Sequence, residues 1–323
     1  MRTIFAVLVI TTTLGVAGNP DAPVVDLDTA RGLLSLDAHA APCAEIACLL
    51  ERAYRADPQA QQLAVALWHE MGDVAGVGPD EQMDGGYRGR IHLVPELPVG
   101  RYRAHLAWVA GTMRAFDQLM TALFAEHPAP RYRWRGLAFR FVRSVGKRTP
   151  SAYATGWAIE YNVSGSLLID ADGVRDTLVH ELFHSNDEDH GDWSAHAFQA
   201  DYDAIVARCG GGPHKNPGTR CLAPYAPGAT LVRGGTYYAF QQDNGKSVRE
   251  YAAELAVRYF AEQREMLSAH KLAQPAFKCG PAENARAWQA LVDEFFAGRD
   301  LVPACERAIP GVPARAGDGG AHS

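Results

Sequence analysis

The sequence predicts an α+β fold, on three observations. Segments with helical apolar spacing and segments that read as strands come in separate runs rather than in strict alternation, which disfavours a parallel doubly wound sheet. The chain has 323 residues, 47% of them apolar and 21% charged, enough to bury a sizeable core. It shows no internal repeat. The expected plan is a signal segment over 1–18, a helical N-terminal region over 19–90, a main domain over 91–308 and a disordered tail over 309–323. The net charge is −6, with 31 Lys and Arg against 37 Asp and Glu. With no basic excess, nucleic acid and anionic membrane surfaces are excluded as expected partners.

The chain opens MRTIFAVLVITTTLGVAGNPDAP, with one early positive charge, an apolar run from Ile4 to about Val16, and small residues at Ala17 and Gly18. That layout predicts a secretory signal peptide, cleaved near residue 18, and a secreted or periplasmic mature chain. The run is short, holds three threonines and is followed by no stop-transfer charges, which argues against a membrane anchor once the signal is cleaved. Six cysteines lie beyond it: Cys43, Cys48, Cys209, Cys221, Cys279 and Cys305. An even number in an exported chain predicts three disulfides, and neighbour pairing (43–48, 209–221, 279–305) is the simplest of the roughly 15 arrangements. No CxxC pair is present, so a thiolate zinc site is not expected.

Apolar spacing predicts helices over 43–57 and 58–72, the second started by Pro58. The Gly-rich DVAGVGPDEQMDGGYRGR breaks the pattern and leads to a short strand, IHLV, at 91–94. A long helix is expected from about 101 to 127, ahead of Pro128. LAFRFVRSV (137–145) and TGWAIEYN (155–162) read as strands, and SGSLLID (164–170) as a turn with another short strand. Beyond a helix that follows directly and carries TLVHELFHSNDEDH, residues 194–208 read as helical and 209–235 as a Gly/Pro-rich loop closed by two cysteines. Strong helical patterns follow at 247–264 and 282–297.

The stretch TLVHELFHSNDEDH (177–190) carries the chemistry, as His180-Glu181-Leu182-Phe183-His184, or HExxH. Residues four apart on a helix lie one above the other, so His180 and His184 can present their imidazoles to one ion. Glu181, about 100° round the helix from His180, can reach a water on that ion rather than the ion itself. Leu178, Val179, Leu182 and Phe183 gather on the opposite side, which predicts one buried face and one polar face. Two histidines need a third protein ligand, and two readings compete. His190 stands where HExxHxxGxxH would place it, a spacing that resembles the metzincin proteases, although Asp187 occupies the glycine position and no Met-turn follows. The other reading lies in SVREYAAELAVRYF (247–260), where Glu250 and Glu254 sit one turn apart on an otherwise apolar helix. Buried carboxylates there need partners: a metal for one and the spare N–H of a ligating histidine for the other. Ser247-x-x-Glu250 is also a capping box, in which case Glu254 would be the ligand.

HExxH followed by a helix with ExxxE resembles the gluzincin metallopeptidases. EYAAELAVRYF is similar in particular to the ligand helix of the anthrax lethal factor and Pro-Pro endopeptidase group. The resemblance covers two helices and the strands before the first, about a third of the chain. It implies a zincin-like fold, with a small, mostly antiparallel sheet packed on the HExxH helix. It also implies Zn²⁺ held by His180, His184 and Glu250, with Glu254 behind a histidine. In that group a tyrosine about seven residues before the ligand glutamate stabilises the oxyanion. Here that position is Asp243, and the nearby Tyr237 and Tyr238 are the candidates, with Tyr238 preferred. Packed strand aromatics are their alternative reading. Asp187, Glu188, Asp189, Asp192 and His196 read as a solvated loop or as supports of the site rather than as a second metal centre.

The expected activity is hydrolysis of peptide bonds in a peptide or protein substrate by a zinc-bound water activated by Glu181. An edge strand before the motif helix, TGWAIEYN or SGSLLID, would pair with the substrate. A metzincin-like protease using His190 and a catalytically silent secreted binding protein are the competing functions.

Overall fold

The computed structural model describes residues 25–34, 43–85, 88–212, 215–232, 235–242 and 247–305. The expected signal segment, the tail from 309 and Asp243 lie outside the described residues. The chain divides into two compact units, one of residues 1–116 and 131–178, the other of 117–130 and 179–323.

In the first unit, α1 (Leu27–Leu33) is capped by Asp26, whose side chain accepts from the Thr29 N–H, and α2 (Ile46–Ala53) follows. Then α3 (Pro58–Met71) starts with Asp57 capping Ala60 and proline in its first turn, and stops at Gly72, whose φ of 69° no bulky residue adopts cheaply. Where the glycines obscured any pattern, the chain makes two strands, β1 (Val74–Val77) and β2 (Glu81–Asp84), before β3 (Arg90–Pro95). Three of the four β1 residues are buried, so no alternation was there to read. The long helix α4 (Arg103–Phe124) begins in this unit and has residues 117–124 in the second; β4 (Ala138–Ser144), β5 (Ala152–Thr155) and β6 (Ala158–Asn162) follow, and α5 (Ala171–Asp189) has residues 171–178 here and 179–189 in the second.

The sheet order is β2-β3-β4-β6-β5, with β1 also on β4. It is mixed: three of its five pairings are antiparallel, and β4 pairs in parallel with both β1 and β6. Its core face gathers Ile91, Leu93 and Val142 with Met83 and Tyr153, and the sheet curls so that Tyr153 on β5 donates to Glu81 on β2 at 2.9 Å. Neither expected substrate segment forms an edge strand, apart from Thr155 at the end of the edge strand β5. TGWAIEYN is broken at Gly156 (φ 55°) into the end of β5 and β6, and β6 is covered by β4 on one side and β5 on the other. SGSLLID forms no strand. Asn162 Oδ1 accepts from Ser164 N and Oγ, and a Cβ on Gly165 would come within 2.8 Å of Ser151 Cα, so the backbone folds back there. The same Asn162 heads an Asn-Val-Ser sequon, yet it is 1% exposed and its Nδ2 donates to Ser144 Oγ and the Pro150 carbonyl. The folded chain therefore offers no glycan acceptor at this position.

One buried histidine makes this unit sensitive to acid. His105 on α4 has Nδ1 2.9 Å from the Tyr161 hydroxyl, and burial pushes its pKa down to about 4. The unfolded chain takes up this proton near pH 6.5, whereas the folded chain resists it until about pH 4. Stability is therefore expected to be full above pH 6.5 and to fall between pH 6.5 and 4. The loss is on the order of 2 kcal/mol once solvent screening is allowed for. Thermal melts of His105→Gln across this range check it: the slope should flatten, and an unchanged slope would clear His105 of the effect.

In the second unit, the single helix expected over 194–208 is two, α6 (Trp193–Ala197) and α7 (Gln199–Arg208), divided at the buried Phe198. A short α8 (Thr219–Leu222) and β7 (Leu231–Val232) lie in the expected loop, and β7 pairs with β8 (Thr236–Tyr237) just past it. The long α9 (Ser247–Ala269) and α10 (Ala282–Phe295) supply most of the core, with Tyr259, Phe260, Trp288 and Phe296 packed ring on ring. The three disulfides are Cys43–Cys48, Cys209–Cys221 and Cys279–Cys305. Three such bonds fit an oxidising compartment. Among the described residues no helix is long and apolar enough to cross a membrane.

Candidate metal centre

Asp170 starts α5 by accepting from the Gly173 N–H at 2.8 Å, and Val174, Leu178, Val179, Leu182 and Phe183 bury one side of the helix. The other side is polar, as the wheel predicted, but it is not solvated. His180, Glu181, Ser185, Asn186 and Asp187 are all buried. A polar face enclosed in this way must find its partners inside the protein.

The partners come from the first two turns of α9. His180 Nε2 lies 3.1 Å from His184 Nε2 and 3.1 Å from Glu250 Oε2, and His184 Nε2 is 3.6 Å from the same oxygen. Among the described residues this is the group of three whose ligand atoms converge closely enough to hold a metal ion. Glu254, one turn on, lies on the far side of the imidazole, with Oε1 3.4 Å from His180 Nδ1. Of the two glutamates, Glu250 faces the point where the histidine nitrogens converge and Glu254 faces the other ring nitrogen of His180. Ser247 Oγ donates to the Gln241 carbonyl, and the Glu250 carboxylate is turned to the histidines rather than back to the start of its own helix.

The ionisation of the group follows from this arrangement. Burial opposes charge on His180, but its hydrogen bonds to the Glu250 and Glu254 carboxylates and the nearby charges of Glu250 and Glu181 outweigh it and hold the imidazole pKa well above the ordinary value. Burial likewise opposes ionisation of Glu250, and the two histidines outweigh it, leaving the carboxyl far below the usual range. The carboxylates around His180 thus favour positive charge there, and the His180, His184 and Glu250 group could hold a metal ion.

His190 is not part of the group. Where a metzincin turns sharply at glycine, α5 continues through Asp187 to Asp189, and His190 is carried past the site. Its Nδ1 lies 2.7 Å from Glu294 Oε1 and its ring packs on Phe295. Asp187 is no solvated loop residue: it is fully buried and binds the Ser194 N–H and hydroxyl. Glu188, Asp189 and His196 are exposed. Tyr238 begins a 3-10 turn (Tyr238–Phe240) after β8, with its ring 5.8 Å from that of His180, and it is half-buried rather than core. Tyr237 lies in β8, opposite Leu231.

Two contributors escaped the sequence reading. Arg249, beside the ligand, reaches back to α5. Gly228 lies where an added Cβ would fall 1.9 Å from Glu254 Oε2, so the loop backbone closes directly over that carboxylate. Only the Pro-Gly turn pair at 227–228 was visible, and it says nothing of a contact 26 residues away. Gly228→Ala is expected to leave the fold intact, because Glu254 is flexible enough to move aside, but to detach it from His180. Affinity for a metal ion should then fall about tenfold, the range for loss of a partner behind a ligand. Competition titration checks this, and an unchanged affinity would show that Glu254 does not support the site.

A comparison of the chain with known family models, with curated proteins and with solved structures finds no match in any of the three.

Proposed function

We propose that the chain is a secreted zinc-dependent endopeptidase of the gluzincin type. The observation that carries this reading is the convergence of His180, His184 and Glu250, with Glu254 behind His180 and Glu181 beside it. The donor set fits the ion: three donors about 2.1 Å from a tetrahedral zinc lie roughly 3.4 Å apart, and the observed separations are 3.1, 3.1 and 3.6 Å. Two imidazoles and one carboxylate also form the ligand class of catalytic zinc, which keeps one position open. The three disulfides support export.

When bound, zinc supplies Lewis acidity, polarising the substrate carbonyl and acidifying a water. The chain's own groups do the rest. Glu254 accepts the Nδ1 proton of His180, which fixes the tautomer and leaves the Nε2 lone pair for the ion. Glu181 takes the proton of the attacking water and passes it to the leaving amine nitrogen. The Tyr238 hydroxyl donates to the developing oxyanion.

The test is metal analysis of the purified, disulfide-bonded chain together with cleavage of an unfolded protein substrate. About one zinc per chain and hydrolysis abolished by a chelator and restored by zinc are expected. Hydrolysis that survives complete metal removal would overturn the reading.

A further inference from the structure

Beside the ligand contact, a second ionic contact joins α5 to α9. Arg249, immediately before Glu250, lies with Nε 3.3 Å from Asp187 Oδ2 and Nη1 3.1 Å from Asp192 Oδ1. Asp187 stands three residues after His184. From the juxtaposition of these three side chains with the ligand pair we infer that Arg249 is a positioning residue, which sets the first turn of α9 so that Glu250 faces His180 and His184. This rests on the metal-site reading above and adds the device that holds its third ligand in place.

The need for such a device follows from where Glu250 sits. It is the fourth residue of α9, within the turn whose N–H groups have no acceptor inside the helix and which frays most easily. A ligand on a fraying turn is a loose ligand, and affinity for an ion depends on donors already held in place. The segment before it is anchored by Ser247 Oγ on the Gln241 carbonyl and by the buried Val248, which hold the start of the helix but do not orient it toward α5. Arg249 does. Neighbouring residues on a helix lie about 100° apart, so a guanidinium fixed between two carboxylates also fixes the direction of the next side chain.

The contact is poorly suited to a purely stabilising role. Asp187 is fully buried, and Arg249 Nε is buried without a hydrogen bond, in ionic contact only. Burying such charges costs about as much as their attraction returns, so what remains is geometric definition. The α5 side is itself rigidly set. Asp187 is held at both oxygens by Ser194 N and Oγ, each at 2.7 Å. Asp192 is kept at φ 57°, a left-handed conformation that persists in a non-glycine residue where its surroundings over-determine it.

The test uses the full disulfide-bonded chain and zinc alone, titrated against a chelating dye. It compares the unmodified protein, Arg249→Met, Arg249→Lys, Glu250→Ala and the double variant Arg249→Met/Glu250→Ala, with hydrogen exchange of the metal-free forms as a second readout. Arg249→Met is expected to weaken zinc binding 10- to 100-fold and to speed exchange in the first turn of α9. Arg249→Lys should recover part of the affinity, and Arg249→Met should cost nothing further once Glu250 is absent. Should Arg249→Met fail to fold, Asp192→Asn removes one of the two contacts at a carboxylate that is a third exposed, and about a threefold loss is expected. Equal zinc affinity with and without Arg249, or an equal loss in the Glu250→Ala background, would overturn the inference while leaving the metal site standing. An unmodified protein that binds no zinc would remove the metal site itself.

Discussion

Glu250→Ala is expected to lower zinc affinity by on the order of a thousandfold, and His190→Ala to leave it unchanged. A structural zinc site is worth about 10–16 kcal/mol spread over its ligands, so loss of one of three protein donors removes several kcal/mol. Glu250 carries the negative charge of the donor set and stands 3.1 Å from His180 Nε2 and 3.6 Å from His184 Nε2. His190 is spent on Glu294 and Phe295. Competition titration of both variants decides between them. A zinc affinity that survived Glu250→Ala but fell with His190→Ala would reverse the ligand assignment.

Glu181→Gln is expected to keep zinc and lose peptide hydrolysis by a factor of about 10²–10⁴, the usual contribution of a positioned general base. Glutamine has nearly the same shape and still accepts hydrogen bonds, but it cannot take a proton from water. Glu181 is buried beside His180 without belonging to the ligand group, which is where a base acting on a neighbouring water has to be. Measuring zinc content and turnover on the same samples separates the two roles. Loss of zinc would make Glu181 a ligand, and undiminished hydrolysis would remove it from the chemistry.

The parts of the site that could be read in the sequence are those that depend on one helix at a time. HExxH places two imidazoles together because the spacing and the helical period agree, and the apolar spacing around Glu250 and Glu254 marked two carboxylates on a buried helix. Which glutamate faces the two histidines depends on how α9 lies against α5, and no spacing within either helix contains that. Asp187 shows the limit well. As a departure from a glycine pattern it told against His190, but its own role, holding Ser194 and Arg249, needs residues up to 62 positions away. In the sheet, β3, β4 and β6 were legible from apolar content or alternation. β1 was not, because VAGV is a short, mostly buried strand between turn residues. The break at Gly156 was missed because a single glycine in an apolar run does not announce a hairpin, and so β6 passed for an edge.

Crystals of the chain grown with zinc, with anomalous diffraction recorded at the zinc edge, test the metal centre most directly. One peak is expected, within about 2.0–2.2 Å of His180 Nε2, His184 Nε2 and a Glu250 carboxylate oxygen, with His190 still paired to Glu294. A peak bonded to His190, or no peak between the two histidines at saturating zinc, would contradict it.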